Sequence, residues 1–481
     1  MASISSVGIG SGLDVKSIVS QLVALEQKPL DKLKLAGTTV DTKISAFGEF
    51  KSMFSTLASA ASSLNSLTTW NAVTATSSNT SAVTATALGG TAASNFSVEV
   101  LTLAKTQSTA SQAFLPTGSM PGAGTLQIQL GTWTAPDGTF TAGTATAVDI
   151  TVAANDTVSG IASKINGANA GVTATVLTDA SGERLLLRSK NSGEAMGFKM
   201  SVAGDLEDPP DHNTTNIGGL SRLTYEDPLA LGSTMTQQGF DATAKLNGIA
   251  ISSASNTFSN VVSGVSFTAL QETTSAAEIS IGRDESSIKT GIQTFVDAYN
   301  KINQSMSDAT KYDAGTKTSG LFQGDSGVNS LLSAMRGILQ AATGGGAYSR
   351  LADIGITAER GGNLTLDSAK LGTALSANFS DVKNLFKADT SNDLSNGVAV
   401  KFKKFADGLL SIDGLFASKD ASLKRSLAQN LKDQTKSSDH ISRYEAQLNA
   451  KYSALDAKMA SLTALNSYVA QQVTTWNKSG G

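Results

Sequence analysis

Hydrophobic residues recur every seven positions at both ends of the chain. A second series at the carboxyl end, Tyr452, Met459 and Val473, follows members of the first series by four residues. Such a repeat predicts an amphipathic helix that packs along a partner helix, as in a coiled coil. The candidate partner-binding residues of the two stripes are Leu33, Val40, Phe47, Phe54, Ile441, Leu448, Leu455, Leu462, Val469 and Trp476.

Two residues qualify this prediction. Pro29 is expected to separate a short helix, about residues 14–28, from a longer one, because proline disfavours α conformation in the residue before it. Asn466 lies in the second carboxyl-terminal series, and a lone asparagine in such a seam often sets register or partner number. One stripe alone would indicate packing inside the chain, whereas two favour packing on each other and then on neighbouring subunits.

Between the ends the composition changes to threonine, serine, alanine and glycine from about Trp70. Short runs there alternate between apolar and polar residues, which predicts half-buried antiparallel strands. The clearest runs are residues 97–100, 148–152, 265–268 and 278–281.

A weak internal repeat is also present. Residues 148–177 predict a strand, a short helix at 158–165 capped by Asn155 to Thr157, and a second strand. Residues 245–270 predict the same order, with a short helix at 258–262 capped by Asn256 and Thr257. Two copies of one small α+β unit indicate two outer domains.

Helical patterns return after Glu285, and a hairpin is predicted at 351–366 around Gly361 and Gly362, followed by helices at 380–386 and 398–410. The expected fold is a multidomain α+β protein with coiled-coil-like terminal helices, a helical middle domain and two outer antiparallel β-rich domains. We assign 1–40 with 431–481 to the terminal helices and 41–70 with 286–430 to the middle domain. The first outer domain is 71–110 with 236–285. The second outer domain is 111–235, and it includes an insert module at about 147–190.

Composition excludes several classes of function. The formal net charge is -3 and charged residues are 16% of the chain, so no basic surface of the size that nucleic acid needs is expected. Cysteine is absent, which excludes disulfides and thiolate sites. We find no apolar run long enough to cross a membrane and no leader-like start, so we expect no membrane insertion and no cleaved signal peptide.

Motifs that suggest catalysis or metal binding lack their partners. Residues 324–327 (GDSG) resemble a protease nucleophile turn, but only His212 and His440 exist, so helix capping before 328–339 is the preferred interpretation. Residues 286–289 match the bare S-x-x-K pattern, which is common by chance. The acidic stretch 205–211 contains two prolines and no calcium-loop spacing. We therefore predict no enzyme activity, no cofactor and no metal site.

Several stretches together resemble the flagellar filament-capping family, also called hook-associated protein 2. The most specific is residues 295–300 (FVDAYN), and the departures lie mainly at 117–146 and 201–238. The other matching stretches, in order along the chain, are 8–15 (GIGSGLDV), 18–22, 26–30, 155–171, 247–249, 256–257, 264–265, 351–357, 362–367 and 385–386.

The resemblance implies a structural cap at the filament tip that promotes flagellin polymerisation and prevents flagellin loss. It implies a ring of identical subunits, a pentamer in this family, with flagellin, hook-filament junction proteins and an export chaperone as partners. It also implies an extracellular location and leaves room for adhesion through the outer domains. The alternatives are another axial protein, namely flagellin or a junction protein, and a surface adhesin. An enzyme that depends on Ser326 is a further rival.

Overall fold

The fold is described from a computed structural model over residues 14–134, 138–203, 219–226, 232–341, 346–390 and 395–479. Residues 1–13, the stretch 205–212 with His212, and Gly344 and Gly345 lie outside the described residues. The chain forms two compact units. We call Met1–Trp70 with Ser286–Gly481 the helical unit and Asn71–Glu285 the strand unit.

In chain order the helices are α1 (Val15–Asn65), α2 (Leu67–Trp70), α3 (Val158–Ala168), α4 (Glu285–Thr310), α5 (Ser326–Gln340), α6 (Ser368–Ala377), α7 (Phe379–Lys387), α8 (Val398–Leu410) and α9 (Leu415–Ser479). The two longest helices, α1 and α9, belong to the helical unit, and α3 belongs to the strand unit.

The strands pair antiparallel throughout the described registers. In chain order they are β1 (Val73–Ser77), β2 (Val83–Ala87), β3 (Ser94–Thr102), β4 (Ser108–Ala110), β5 (Gly124–Thr134), β6 (Thr139–Ala142), β7 (Val148–Val152), β8 (Val172–Asp179), β9 (Gly182–Ser189), β10 (Gly197–Ala203), β11 (Thr234–Gln237), β12 (Ala242–Leu246), β13 (Ile249–Ser253), β14 (Thr257–Val262), β15 (Val265–Ala269), β16 (Ala277–Arg283), β17 (Tyr312–Asp313), β18 (Thr318–Ser319), β19 (Ile356–Ala358) and β20 (Leu364–Leu366).

Contacts between aromatic rings join α1 to other elements in the core of the helical unit. The Phe47 ring on α1 lies 4.9 Å from Phe322 and the Phe54 ring lies 5.4 Å from Phe416, which places α1 against the start of α9. Apolar faces of α4, α5, α7 and α8 close the same core. Edge-on and tilted ring pairs of this kind add to the free energy gained by burying the rings.

The helix break that Pro29 predicts is wrong, because α1 runs through Pro29 from Val15 to Asn65. Proline in a helix interior costs about 3 kcal/mol. Pro29 is exposed, so its ring meets solvent, while Val19 and Leu30 on either side of it are buried. Burial of these flanking apolar residues offsets the proline's cost, and the helix continues.

A polar network attaches the hairpin of β19 and β20 to α4. Asn300 donates to the Leu364 carbonyl at 2.8 Å and accepts from the Leu364 amide at 2.6 Å. Asn303, which is buried, donates to the Gly361 carbonyl at 3.0 Å and accepts from Arg336 of α5 at 3.0 Å. The predicted hairpin is confirmed, and residues 295–300 supply both core side chains and the Asn300 attachment.

The strand unit contains two hydrophobic cores. The first lies between a five-stranded sheet, order β1-β16-β3-β12-β13, and a three-stranded sheet, order β14-β15-β2, both of which contribute buried side chains. The second core lies among two sheets and α3. One sheet has the order β10-β5-β6, with β7 also paired to β5, and the other has the order β11-β4-β9-β8. Each sheet buries one face, as the alternating sequence predicts.

The first copy of the predicted repeat is confirmed, and the second is wrong. Thr157 caps α3 by accepting from the Gly160 amide at 3.2 Å. In the second copy, residues 257–262 form β14, and residues 245–251 fall in two strands joined at Asn247. The Asn256 side chain accepts from the Ala104 amide at 2.7 Å, so it anchors a neighbouring chain segment and caps no helix.

The expected fold class is confirmed: the chain combines long terminal helices with antiparallel sheet cores. No helix in the described ranges is long and apolar enough to cross a membrane.

Candidate docking surface on the terminal helices

The two terminal helices pack against each other in opposite directions. Val15 and Val19 of α1 meet Leu448 of α9 in a small apolar cluster, while further along the pair Phe47 meets Phe416. Leu22, Val23, Tyr444 and Tyr452 pack around that small cluster. The stripe on α9 therefore has an intramolecular partner as far as about residue 452.

The pair has a polar contact between its two apolar regions, and sequence reasoning missed it. Gly37 is buried, and a Cβ there would lie 2.8 Å from Asn430 Oδ1 and 3.0 Å from Gln434 Nε2. Gln434 donates to Asn430 Oδ1 at 2.6 Å. The glycine allows these two amide side chains to approach the backbone of α1.

The candidate residues on α1 lie inside the protein to different degrees. Phe54 is fully buried and Phe47 is buried, both in the core of the helical unit. Leu33 and Val40 are half-buried. These positions contribute to the chain's own packing, and the exposed part of the stripe lies on α9.

The candidate residues on α9 change from buried to exposed along the helix. Ile441 is buried and Leu448 is 9% exposed, whereas Leu455 and Val469 are exposed. Leu462 is 57% exposed and Trp476 is 81% exposed. The exposed stripe continues the same seven-residue series as the stripe that contacts α1, so a second helix could extend that packing.

Further large side chains widen this exposed stripe. They are Met459, Leu465, Tyr468 and Val473. Asn466, in the second series, is also exposed. The only charged residues between 453 and 479 are Asp456, Lys458 and Lys478. A row of exposed apolar side chains with few charges is typical of an interaction site.

The protease-like motif at 324–327 is a helix cap, as predicted. Asp325 accepts from the amides of Gly327 and Val328 at 2.9 and 3.3 Å and pairs with Lys419 of α9 at 3.1 Å. Burial by itself raises the pKa of Asp325, but the Lys419 hydrogen bond and the two amides outweigh it and hold the pKa below its usual value.

His440 takes part in the packing of the terminal pair. Its ring stacks on Tyr444 and its Nε2 lies 3.9 Å from the Glu26 carboxylate of α1. Both groups are largely exposed, so this pair contributes little to the free energy of folding.

Comparison with known proteins identifies the family. A model described as the flagellar hook-associated protein 2 C-terminus matches residues 239–464, and the corresponding N-terminus model matches residues 11–107. A B-type flagellar hook-associated protein 2 of Pseudomonas aeruginosa is 30% identical, over 98% of this chain and 96% of the relative. The chain belongs to the flagellar hook-associated protein 2 family.

Other similarities agree with this family assignment. The flagellar hook-associated protein 2 of Escherichia coli (strain K12) is 30% identical, over 98% of each chain. A solved structure of three domains of the flagellar cap protein FliD from Escherichia coli has a TM-score of 0.61 and 26% identity, and covers 79% of this chain and 99% of that one. A flagellin hook IN motif model matches residues 137–191, which include β7, α3 and β8.

The hook-associated protein 2 family models match residues in both helices of the terminal pair. The N-terminal model begins before α1, and the C-terminal model ends at residue 464, within the exposed stripe of α9. Val469 and Trp476 lie past the end of that match.

Proposed function

We propose that this chain caps the distal tip of the bacterial flagellar filament, promotes polymerisation of exported flagellin and prevents its loss to the medium. The observation that carries the proposal is similarity to hook-associated protein 2 along nearly the whole chain, including both terminal helices. The similar solved structure from Escherichia coli is that of a flagellar cap protein, which supports the same role.

The proposed partners are sister copies in a ring, a pentamer by resemblance, together with flagellin, the hook-filament junction proteins and an export chaperone. We place the protein outside the cell at the filament tip, exported without a cleaved leader. Residues 1–40 with 431–481 would face the filament, and the other three assigned domains would form the rest of the cap. The role is one of binding and release and includes no covalent step.

The exposed stripe of α9 is the proposed docking surface toward the filament. Leu455, Leu462, Val469 and Trp476 continue the packing that α1 already makes with Leu448. A partner helix of low charge would bury these side chains at about 25 cal/mol for each Å² of apolar area removed from water. Because each added subunit requires the cap to release and rebind, moderate affinity suits the role better than an obligate interface.

Deletion of the gene in the source bacterium tests the cap role. We expect short or absent filaments and monomeric flagellin in the medium, measured by electron microscopy and by immunoblot of the culture supernatant. Filaments of normal length without flagellin leakage would contradict the cap. That result would favour an adhesin, while loss of the filament material itself, with no free flagellin, would favour another axial protein.

A paired substitution tests the docking surface separately. Leu462→Ser with Val469→Ser should cause flagellin leakage in the complemented strain, because both exposed side chains lose their apolar area. The matched control is Ala464→Ser with Gln471→Ser, which lie on the opposite face of α9 and are also exposed. Equal leakage from both pairs would rule out the stripe as the docking surface.

A further inference from the structure

A groove of about 590 Å³ lies on the face of the sheet β11-β4-β9-β8 in the strand unit. Seven of its eleven lining residues carry a hydroxyl group, and two are cations. We call it the hydroxyl groove. Its lining is Thr106, Ser108, Thr109, Thr173, Thr175, Leu186, Leu187, Arg188, Ser189, Lys190 and Thr236.

The hydroxyl groove is positively charged. Arg188 and Lys190 line it together, and no aspartate or glutamate is part of the lining. Within the described part of the chain, neither cation forms a salt bridge. Both side chains are exposed. An exposed arginine and lysine without a carboxylate between them attract an anion.

Neutral partners orient both cations. Arg188 Nε donates to Thr106 Oγ1 at 2.8 Å, and Lys190 Nζ donates to Asn169 Oδ1 at 3.2 Å. The Arg188 bond uses only one of the five guanidinium donors. The terminal nitrogens remain available for the two-pronged hydrogen bonding that guanidinium makes with an oxyanion.

Strand register places hydroxyl groups beside the arginine. Arg188 of β9 lies opposite Thr173 of β8 on one side and Ser108 of β4 on the other. Thr175 lies opposite Leu186, two residues away along β9. Among the described residues, the side-chain hydroxyls of Ser108, Thr173 and Thr175 make no hydrogen bond to protein.

We propose that the hydroxyl groove binds an acidic saccharide, with its oxyanion group on Arg188 and Lys190 and its hydroxyls on the threonines. The volume falls within the range of about 300–1,000 Å³ that small-ligand sites occupy, and it exceeds what a bare ion needs. Free hydroxyls pair with the hydroxyls of a sugar, while charge-assisted bonds supply the stronger part of the binding. The assignment does not depend on the cap function.

Isothermal titration of the full chain with a sulfated disaccharide tests the proposal. We expect saturable binding that weakens as salt is raised, because exposed charges are screened. Maltose, a neutral disaccharide, should bind at least about tenfold more weakly, as loss of hydrogen bonds to a charged group predicts. Inorganic sulfate should also bind more weakly, because it offers no sugar hydroxyls to the threonines.

Substitutions assign the binding to the groove. Arg188→Gln with Lys190→Gln should lower the affinity for the sulfated disaccharide about tenfold or more. Thr173→Val with Thr175→Val should lower that affinity to the affinity for inorganic sulfate. Lys199→Gln, on β10 in the other sheet, is the control and should change nothing. Thermal melting of each variant reports whether its fold is intact.

Four outcomes would overturn the assignment. They are no saturable binding of the sulfated disaccharide, equal binding by the Arg188 and Lys190 variant, equal affinity for inorganic sulfate, and binding to anionic lipid vesicles without binding to the free sugar.

Discussion

At the scale of single residues, left-handed glycines determine where the hairpin of the helical unit can turn. Gly361 and Gly362 have φ values of 107° and 91°, a region that L side chains rarely adopt. They differ in their surroundings. A Cβ on Gly362 would lie 2.5 Å from Arg336 Nε, whereas a Cβ on Gly361 would meet nothing within 4 Å. The Gly361 carbonyl also accepts from Arg336 at 2.7 Å.

These surroundings give a matched pair of substitutions. Gly361→Ala should cost about 1 kcal/mol of unfolding free energy from backbone strain alone, and Gly362→Ala about 1–2 kcal/mol more, because Arg336 must leave Asn303. Urea unfolding followed by near-ultraviolet circular dichroism of the helical unit measures both. Equal losses in the two variants would show that Arg336 moves aside without cost.

The cap at Asp325 predicts a dependence on pH. Its folded-state pKa is lowered, so its contribution to stability is full above the unfolded value of about 3.9 and is lost as the pH falls through the folded pKa. Asp325→Asn should lower the melting temperature at pH 7 and at pH 5, and the difference should shrink below about pH 4. Asp439→Asn on α9 is the control. A difference in melting temperature for Asp325→Asn that persists unchanged at pH 3 would contradict the role of the Asp325 carboxylate as the cap.

At the scale of elements, one periodic pattern leads to two different environments. Phe54 and Leu462 each belong to a series of apolar residues spaced by seven, yet Phe54 is fully buried and Leu462 is exposed. Periodicity identifies the apolar face of a helix and cannot identify what covers it. The bounds of α8 and β7 were predictable, because local pattern decides them. The continuation of α1 through Pro29 was not, because burial of Val19 and Leu30 decides it.

The small cluster at the end of the terminal pair gives a test at this scale. Val19→Ala with Leu448→Ala should cost about 1–3 kcal/mol locally, because both side chains are buried there. Hydrogen exchange measured by mass spectrometry should then accelerate at residues 15–30 and 441–452 and stay unchanged in the core of the helical unit. Leu462→Ala, an exposed position on the same stripe, should leave both segments as they are, and acceleration there would contradict the exposed placement.

At the scale of the whole molecule, the strand unit is an insertion whose two ends are adjacent. β1 and β16 pair in register from Val73 with Arg283, and the Asp284 amide donates to the Ala72 carbonyl at 2.9 Å. The chain therefore enters and leaves this unit through neighbouring strands. Sequence composition predicted an outer β-rich insertion, but the two cores inside it depend on pairings between distant strands, such as β3 with β12, that local pattern cannot specify.

The adjacent ends predict that residues 71–285 fold without the rest of the chain. The buried residues of both hydrophobic cores all lie within residues 71–285, so the excised fragment keeps the apolar burial that stabilises it. We expect a cooperative thermal transition in circular dichroism and dispersed amide signals in nuclear magnetic resonance spectra. The control fragment 71–260 lacks β15 and β16, each of which lies between two other strands in its sheet, and should not fold. If 71–285 melted without cooperativity, the unit would depend for its stability on the helical unit, and the same fragment could not then serve as a separate vehicle for testing the hydroxyl groove.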